Sequence, residues 1–263
     1  MNVTKLIPNF LRRRYLNFKG KKEAEIKRPV LIFVLDACRY DSFKKAYQNE
    51  FPAELKKKYT HATWTAPSHV SLIRGRFHIG GEVYEKLENK YPHAVYPMPL
   101  VHNASFAVVS AGPLSNSPFV DSDIQRFFQD YYSVTGASHE EIERRAEQFL
   151  SKYQNKNFFG LINFDETHFR FPTISPEFEE LKPAFEEGEI TKEQLIYHQK
   201  LAAETLIASI ENLRKFIPPG TRVIATSDHG ELFGEGGGFL HGGSKLPEFH
   251  EKLFEVPLIT WIE

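Results

Sequence analysis

Hydrophobic positions along the chain fall into two patterns. Short apolar runs with little polar alternation occur at Val30–Leu35, 106–110, Phe158–Phe164, 223–226 and 256–262. Runs of that length, rich in Val, Ile, Leu and Phe, predict strands buried on both faces of a parallel sheet. The second pattern is helical. Leu195, Ala202, Leu206, Ile210 and Leu213 keep helical spacing behind a capping box formed by Thr191 and Gln194. Ser138 and Glu141 open another helix, with Ile142, Ala146, Phe149 and Tyr153 on one face. Thr65, just before Pro67, starts a further helix through Val70, Leu72 and Ile73. Strands alternating with helices predict an α/β fold, a three-layer αβα sandwich around a mostly parallel central sheet. No repeat, low-complexity tract or interdomain linker interrupts the pattern. The expected organisation is a basic N-terminal segment over 1–28 and one α/β domain over 29–263.

Composition narrows the function more than the fold. With 263 residues, 41% hydrophobic and 25% charged, the chain is ordinary globular material rather than fibrous or disordered. A formal net charge of -1 provides no global field for nucleic acid or an acidic membrane, so electrostatic selectivity has to come from local clusters. Cys38 is the only cysteine, which excludes an intrachain disulfide framework and fits a reducing compartment. The first residues lack the apolar core of a secretory signal, and no run approaches the roughly 20 apolar residues of a membrane span. The expectation is a soluble cytoplasmic protein. Arg12, Arg13, Arg14, Lys19, Lys21 and Lys22, interleaved with Phe10, Leu11, Tyr15, Leu16 and Phe18, form a solvated leader or a weak contact with a membrane surface.

Candidate chemistry collects where the strands end. The 223–226 run delivers Asp228 and His229, the first strand delivers Asp36, and the Phe158–Phe164 run delivers Asp165 and, beyond it, His168. Ligands of open α/β sheets sit at such carboxyl ends. Each piece has an ordinary alternative: a capping Asp, a polar loop, a surface histidine. Glycines at 234, 236, 237, 238, 242 and 243 surround His241 and allow a tight turn that returns it over the strand ends, or simply a flexible surface loop. Thr65 occupies a predicted helix start, where free N–H groups and the dipole favour an anion; its hydroxyl is either a cap or a nucleophile aimed at a phosphoryl group.

Taken in order, these residues resemble the alkaline phosphatase superfamily, in the branch of sulfatases and nucleotide pyrophosphatase/phosphodiesterases. The resemblance runs from the first strand to the last. It rests on Asp36, on Thr65-Ala66-Pro67-Ser68 followed by Leu72-Ile73-Arg74-Gly75-Arg76, on Asp165 and His168, on Ser227-Asp228-His229-Gly230-Glu231, and on His241. It implies a catalytic domain with an alkaline-phosphatase-like core, Thr65 as catalytic nucleophile and two divalent metal ions. Asp36, Thr65, Asp228 and His229 would hold one ion; Asp165, His168 and His241 would hold the other. Oxygen and imidazole ligands suit Zn²⁺, with Mn²⁺ or Mg²⁺ as alternatives. His69 and Lys245 are candidate substrate-binding groups.

The departures from the family are informative. Sulfatases oxidise Cys or Ser at the nucleophile position to an aldehyde, and Thr, with a methyl on that carbon, cannot give one. Thr65-Ala66-Pro67-Ser68-His69 instead matches the phosphodiesterase pattern, so the resemblance implies a hydrolase of small-molecule phosphoric esters, either a phosphatase or a phosphodiesterase. The alternatives are a phosphotransferase passing the group to an alcohol, a sulfuric ester hydrolase with an atypical nucleophile, and a non-catalytic binding protein. The chain stops directly after its last core strand, so the usual C-terminal subdomain is expected to be missing and loops 77–104 and 169–190 are expected to build the substrate pocket.

Overall fold

The computed structural model describes residues 28–60, 62–74, 99, 102–111, 125–168, 171, 181–241 and 250–263. In chain order the strands are β1 (Val30–Leu35), β2 (Lys56–Tyr59), β3 (Ala104–Val109), β4 (Asp130–Ser133), β5 (Phe158–Phe164), β6 (Arg222–Ser227), β7 (Leu232–Phe233), β8 (Phe239–Leu240) and β9 (Glu255–Ile262). The helices are α1 (Tyr40–Ala46), α2 (Thr65–Arg74), α3 (His139–Tyr153), α4 (Leu181–Glu186) and α5 (Lys192–Arg214).

Seven strands form one sheet in the order β2-β9-β6-β1-β5-β3-β4, while β7 and β8 form a separate hairpin. The four pairings from β6 through β4 are parallel, and β9 runs antiparallel to both β6 and β2. The sheet is therefore mostly parallel, as its apolar runs predict. Both of its faces are covered. Leu31, Phe33 and Leu35 point to one side, where they pack with Phe43 of α1, Ile142, Ala146 and Leu150 of α3, and Leu206 and Ile210 of α5. Val30, Ile32 and Val34 point to the other, against Ala66 and Ile73 of α2. That alternation is the period of two of a strand, and with both faces apolar it reads in sequence as an unbroken run. The layers are those of an αβα sandwich.

The capping box is present at the start of α5: Thr191 Oγ1 accepts from Gln194 N at 3.2 Å, and Gln194 Oε1 accepts from Thr191 N at 2.7 Å. On α3 the inward residues are Ile142, Ala146, Leu150 and Tyr153. Phe149, expected among them, is only partly buried, because a step of four from Ala146 rather than three keeps the stripe in phase with a 3.6-residue turn.

Register is what positions the site. Leu35 of β1 stands level with Phe164 of β5 and with Ser227 of β6. The next residues are Asp36, Asp165 and Asp228, so three neighbouring strands end in three aspartates in one row. Strands lie about 4.8 Å apart, which brings these carboxylates within reach of shared ions.

Candidate metal centre

Asp36, Asp228 and His229 are buried, and one ligand atom from each lies within 4.8 Å of the others. Thr65, the first residue of α2, brings its hydroxyl into this group. Oγ1 lies 3.4 Å from Asp36 Oδ1 and 3.3 Å from His229 Nε2. The chain between β2 and α2 thus delivers the hydroxyl to the carboxyl edge of the sheet, at the helix end where the dipole favours negative charge.

Local backbone geometry fixes each group. Ala37 adopts a left-handed conformation (φ 55), turning the chain away immediately after Asp36, and its N–H donates to Asp228 Oδ1 at 3.1 Å. Thr167 Oγ1 donates to the Asp36 carbonyl at 2.8 Å. His229 Nδ1 lies 2.9 Å from the Gly230 carbonyl, an acceptor that requires the Nδ1–H tautomer. The Nε2 lone pair therefore faces Thr65 and Asp36. Gly230 is obligatory for packing, since a Cβ there would lie 1.9 Å from the Lys252 carbonyl oxygen.

A second group stands beside the first. His168, Glu231 and His241 also bring ligand atoms within 4.8 Å of one another. The β7–β8 hairpin turns back through Gly234, Gly236 and Gly237, all at positive φ, and Leu240 (φ 66) sets the direction of His241. The imidazole arrives 4.2 Å from the ring of His229 and 4.9 Å from that of His168, measured between centroids. The glycines thus return His241 over the strand ends. Glu231, wholly buried, accepts from His241 Nδ1 at 2.9 Å. A carboxylate that holds the far nitrogen of an imidazole fixes its tautomer and orients it toward a metal.

Electrostatics makes the two groups one problem. Burial pushes the Asp36 carboxyl well above the ordinary range, and the nearby Asp228, Asp165 and Glu231 carboxylates push it further. Burial raises Asp165 as well. Burial opposes ionisation of Asp228 too, but His229, His69 and the Ala37 N–H pull it below the usual value. Burial lowers the His229 imidazole to about 4, so it is neutral at pH 7. Burial also pulls His241 down, yet Glu231 outweighs it and leaves the imidazole raised. Four acidic groups with a weakly basic His229 need a compensating positive charge. Asp228 Oδ2 and Glu231 Oε2 are buried without a hydrogen-bond partner among the described residues. Orphaned carboxylate oxygens beside imidazole nitrogens fit divalent cations, and the mix of oxygen and nitrogen donors suits Zn²⁺.

The sequence-predicted residues therefore meet, with differences. Asp165 stands half-buried near Asp36 and Asp228 but outside the compact group, in which Glu231 takes its place. The sequence reading passed over Glu231 although it belongs to the same motif as Asp228 and His229. Its position two residues past the histidine, just before an apolar Leu232-Phe233, was the available signal. His69 is wholly buried, with Nδ1 3.0 Å from the Thr65 carbonyl and 3.6 Å from Asp228 Oδ2. Lys245 lies outside the described residues, as do most of the loops expected to wall the pocket and the basic segment 1–27.

No protein-family model matches the chain, and no curated protein does. Solved structures do. The C-terminal periplasmic domain of EptC from Escherichia coli superposes with a TM-score of 0.63 at 12% identity, covering 89% of this chain and 72% of that one. The corresponding periplasmic domain of the phosphoethanolamine transferase EptC from Campylobacter jejuni gives 0.60 at 15%, covering 90% and 79%. A protein of the alkaline phosphatase superfamily from Vibrio parahaemolyticus gives 0.55 at 15%, covering 91% and 61%. The E. coli domain has also been solved with zinc.

These matches correct the expectation of a cytoplasmic protein, since both EptC domains are periplasmic. The expectation rests on a single cysteine, on first residues without the apolar core of a secretory signal, and on the lack of a membrane-length apolar run. Cys38 is buried and unpaired, and a lone thiol with no partner to oxidise it reads no redox compartment. Among the described residues no helix is long and apolar enough to cross a membrane. The chain has the fold that these alkaline-phosphatase-like domains share.

Proposed function

We propose that this protein is a metal-dependent enzyme of phosphoric ester chemistry in which Thr65 is the nucleophile, and that water is the final acceptor. The observation that carries the reading is the Thr65 hydroxyl, buried at a helix start, within 3.5 Å of Asp36 and His229. Two divalent cations, Zn²⁺ in the first instance, would supply Lewis acidity toward that hydroxyl and toward the charged ester oxygens. Asp36, Thr65, Asp228 and His229 would hold one. His168, Glu231 and His241 would hold the other, with Asp165 close to both groups.

The chain's own residues do the rest. Thr65 Oγ1, 3.4 Å from Asp36 Oδ1, attacks phosphorus as its proton is lost to solvent. The bond from phosphorus to the leaving oxygen breaks, the departing alkoxide takes a proton from solvent, and phosphothreonine remains. Water then attacks phosphorus from the other side, and the Thr65 Oγ–phosphorus bond breaks to restore the hydroxyl. Helix α2 presents its N–H end to the charge that develops. His69 and the Nδ1–H bond of His229 keep Thr65 and the imidazole in place.

A second reading has its own observation. The C. jejuni match is described as a phosphoethanolamine transferase. On that reading an alcohol replaces water in the second step. One experiment separates the readings: turnover of aryl phosphate monoester, diester and sulfate substrates by the Zn²⁺-loaded protein, with product analysis in the presence of glycerol or ethanolamine. Phosphate-ester turnover with free phosphate or monoester as product supports the hydrolase. Slow hydrolysis accelerated by alcohol, with a transferred product, supports the transferase. Turnover of sulfate alone would overturn both.

A further inference from the structure

Helix α5 carries its apolar stripe with one exception. Gln199 sits four residues after Leu195 and four before Ala203, at an inward position, and is wholly buried. A buried amide has to be satisfied, and this one is satisfied entirely by the loops that bear the metal-centre residues. Its Nε2 donates to the Ala37 carbonyl at 3.0 Å and to the Thr167 carbonyl at 2.9 Å. Its Oε1 accepts from Arg39 N at 3.2 Å.

Those contacts tie different parts of the centre together. Ala37 is the strained residue directly after Asp36, in the first group. Thr167 directly precedes His168, in the second group, and also donates from Oγ1 to the Asp36 carbonyl. Arg39, whose guanidinium is buried, donates from Nη1 to the Glu231 carbonyl at 3.2 Å. One amide on a helix therefore braces the β1 tip, the β5 tip and, through Arg39, the segment after β6. None of these bonds contributes to the packing of α5 itself, which Leu195, Ala202, Leu206 and Ile210 already provide.

We infer that Gln199 is a positioning residue that sets the spacing between the Asp36–Asp228–His229 and His168–Glu231–His241 groups, and so couples ion binding at one to binding at the other. The inference rests on the metal-centre reading above. Without the amide, the left-handed turn at Ala37 and the loop before His168 lose their common anchor, and the two groups are free to drift apart. Binding at either then no longer organises the other, which is a loss of coupling rather than of any ligand.

The test is metal binding by the full chain. Zn²⁺ and Co²⁺ affinities would be measured by chelator competition, together with the Co²⁺ visible spectrum, for wild type, Gln199→Met, Gln199→Glu and Leu206→Ala. Met keeps the length and apolar fit; Glu keeps the acceptor and removes both donors, so either folded variant serves. Leu206→Ala loosens the same helix in the core, about two turns beyond Gln199. The expected result is an affinity about 10–100-fold weaker in the Gln199 variants, with an altered Co²⁺ spectrum and lost cooperativity between equivalents. Leu206→Ala should lower the melting temperature while leaving affinity and spectrum as in wild type. Gln199 variants with wild-type affinity and spectrum would overturn the inference, as would equal weakening in Leu206→Ala. Wild-type protein that fails to bind Zn²⁺ would overturn the metal-centre reading and this inference together.

Discussion

At the scale of single residues, the site is defined by buried groups whose partners are incomplete. Glu231 uses one oxygen to hold His241 and leaves the other without a hydrogen-bond partner among the described residues. Glu231→Gln removes the charge that supports the imidazole, so zinc affinity at that group should fall by about 10–100-fold, read by chelator competition. Glu235 is a contrasting case. Burial opposes its ionisation, but Arg39, Lys192 and the Phe233 N–H draw its carboxyl from 4.5 down to about 2. Its folded-state value lies below the unfolded one. The stability it contributes is thus complete above pH 4.5 and is lost as pH falls toward 2. Urea midpoints measured between those limits should fall with acid, and Glu235→Gln should flatten that slope while lowering stability at neutral pH. A slope unchanged in the variant would refute the assignment. Asp36, Asp228 and His229 follow strand ends, Thr65 opens a helix and His241 follows a glycine-rich turn, and it is their order along the chain that makes them legible as candidates in the sequence. Glu231 and Gln199 are not legible in that way, because a glutamate after a glycine and a glutamine on a helix are ordinary until the hairpin and the loops fold around them.

At the scale of elements, the buried strands announced themselves and the edges did not. Strands β1, β3 and β5 lie between neighbours and are buried throughout, so composition identifies them. β2 is Lys56-Lys57-Lys58-Tyr59, exposed at every position, and β4 is half-buried along its length. Both lie at sheet edges and are held by backbone pairing, which leaves no apolar signature. Strand direction is equally silent: the apolar run of β9 looks the same whether it pairs parallel or antiparallel. The capping box of α5 was legible because it is local. Thr191→Ala should cost about 0.5–2 kcal/mol in urea unfolding without altering zinc affinity. Gly230→Ala is the opposite test, since its Cβ meets the Lys252 backbone beside His229. It should destabilise by about 1–3 kcal/mol, the usual range for overpacking, and reduce metal binding with it.

At the scale of the whole molecule, the sheet is a frame that brings like charges together. Strand order places β6, β1 and β5 side by side, and their common register sets Asp228, Asp36 and Asp165 in a row. Burial there, added to by the neighbouring carboxylates, holds the Asp36 and Asp165 carboxyls raised, so bound cations should stabilise the fold. A ligand present at a hundred times its dissociation constant stabilises by about 2.7 kcal/mol. For a chain of this size that corresponds to a melting temperature about 5–10 °C higher with saturating Zn²⁺ than with chelator, measurable by calorimetry. Equal melting temperatures would mean that the acidic row is satisfied without metal. The most direct measurement of the central claim is turnover of an aryl phosphate ester by Thr65→Ala protein whose zinc content is determined on the same sample. The account predicts that zinc remains bound while turnover falls by at least about a thousandfold, since the nucleophile itself is gone. Turnover close to wild type in the zinc-loaded variant would show that Thr65 is not the nucleophile.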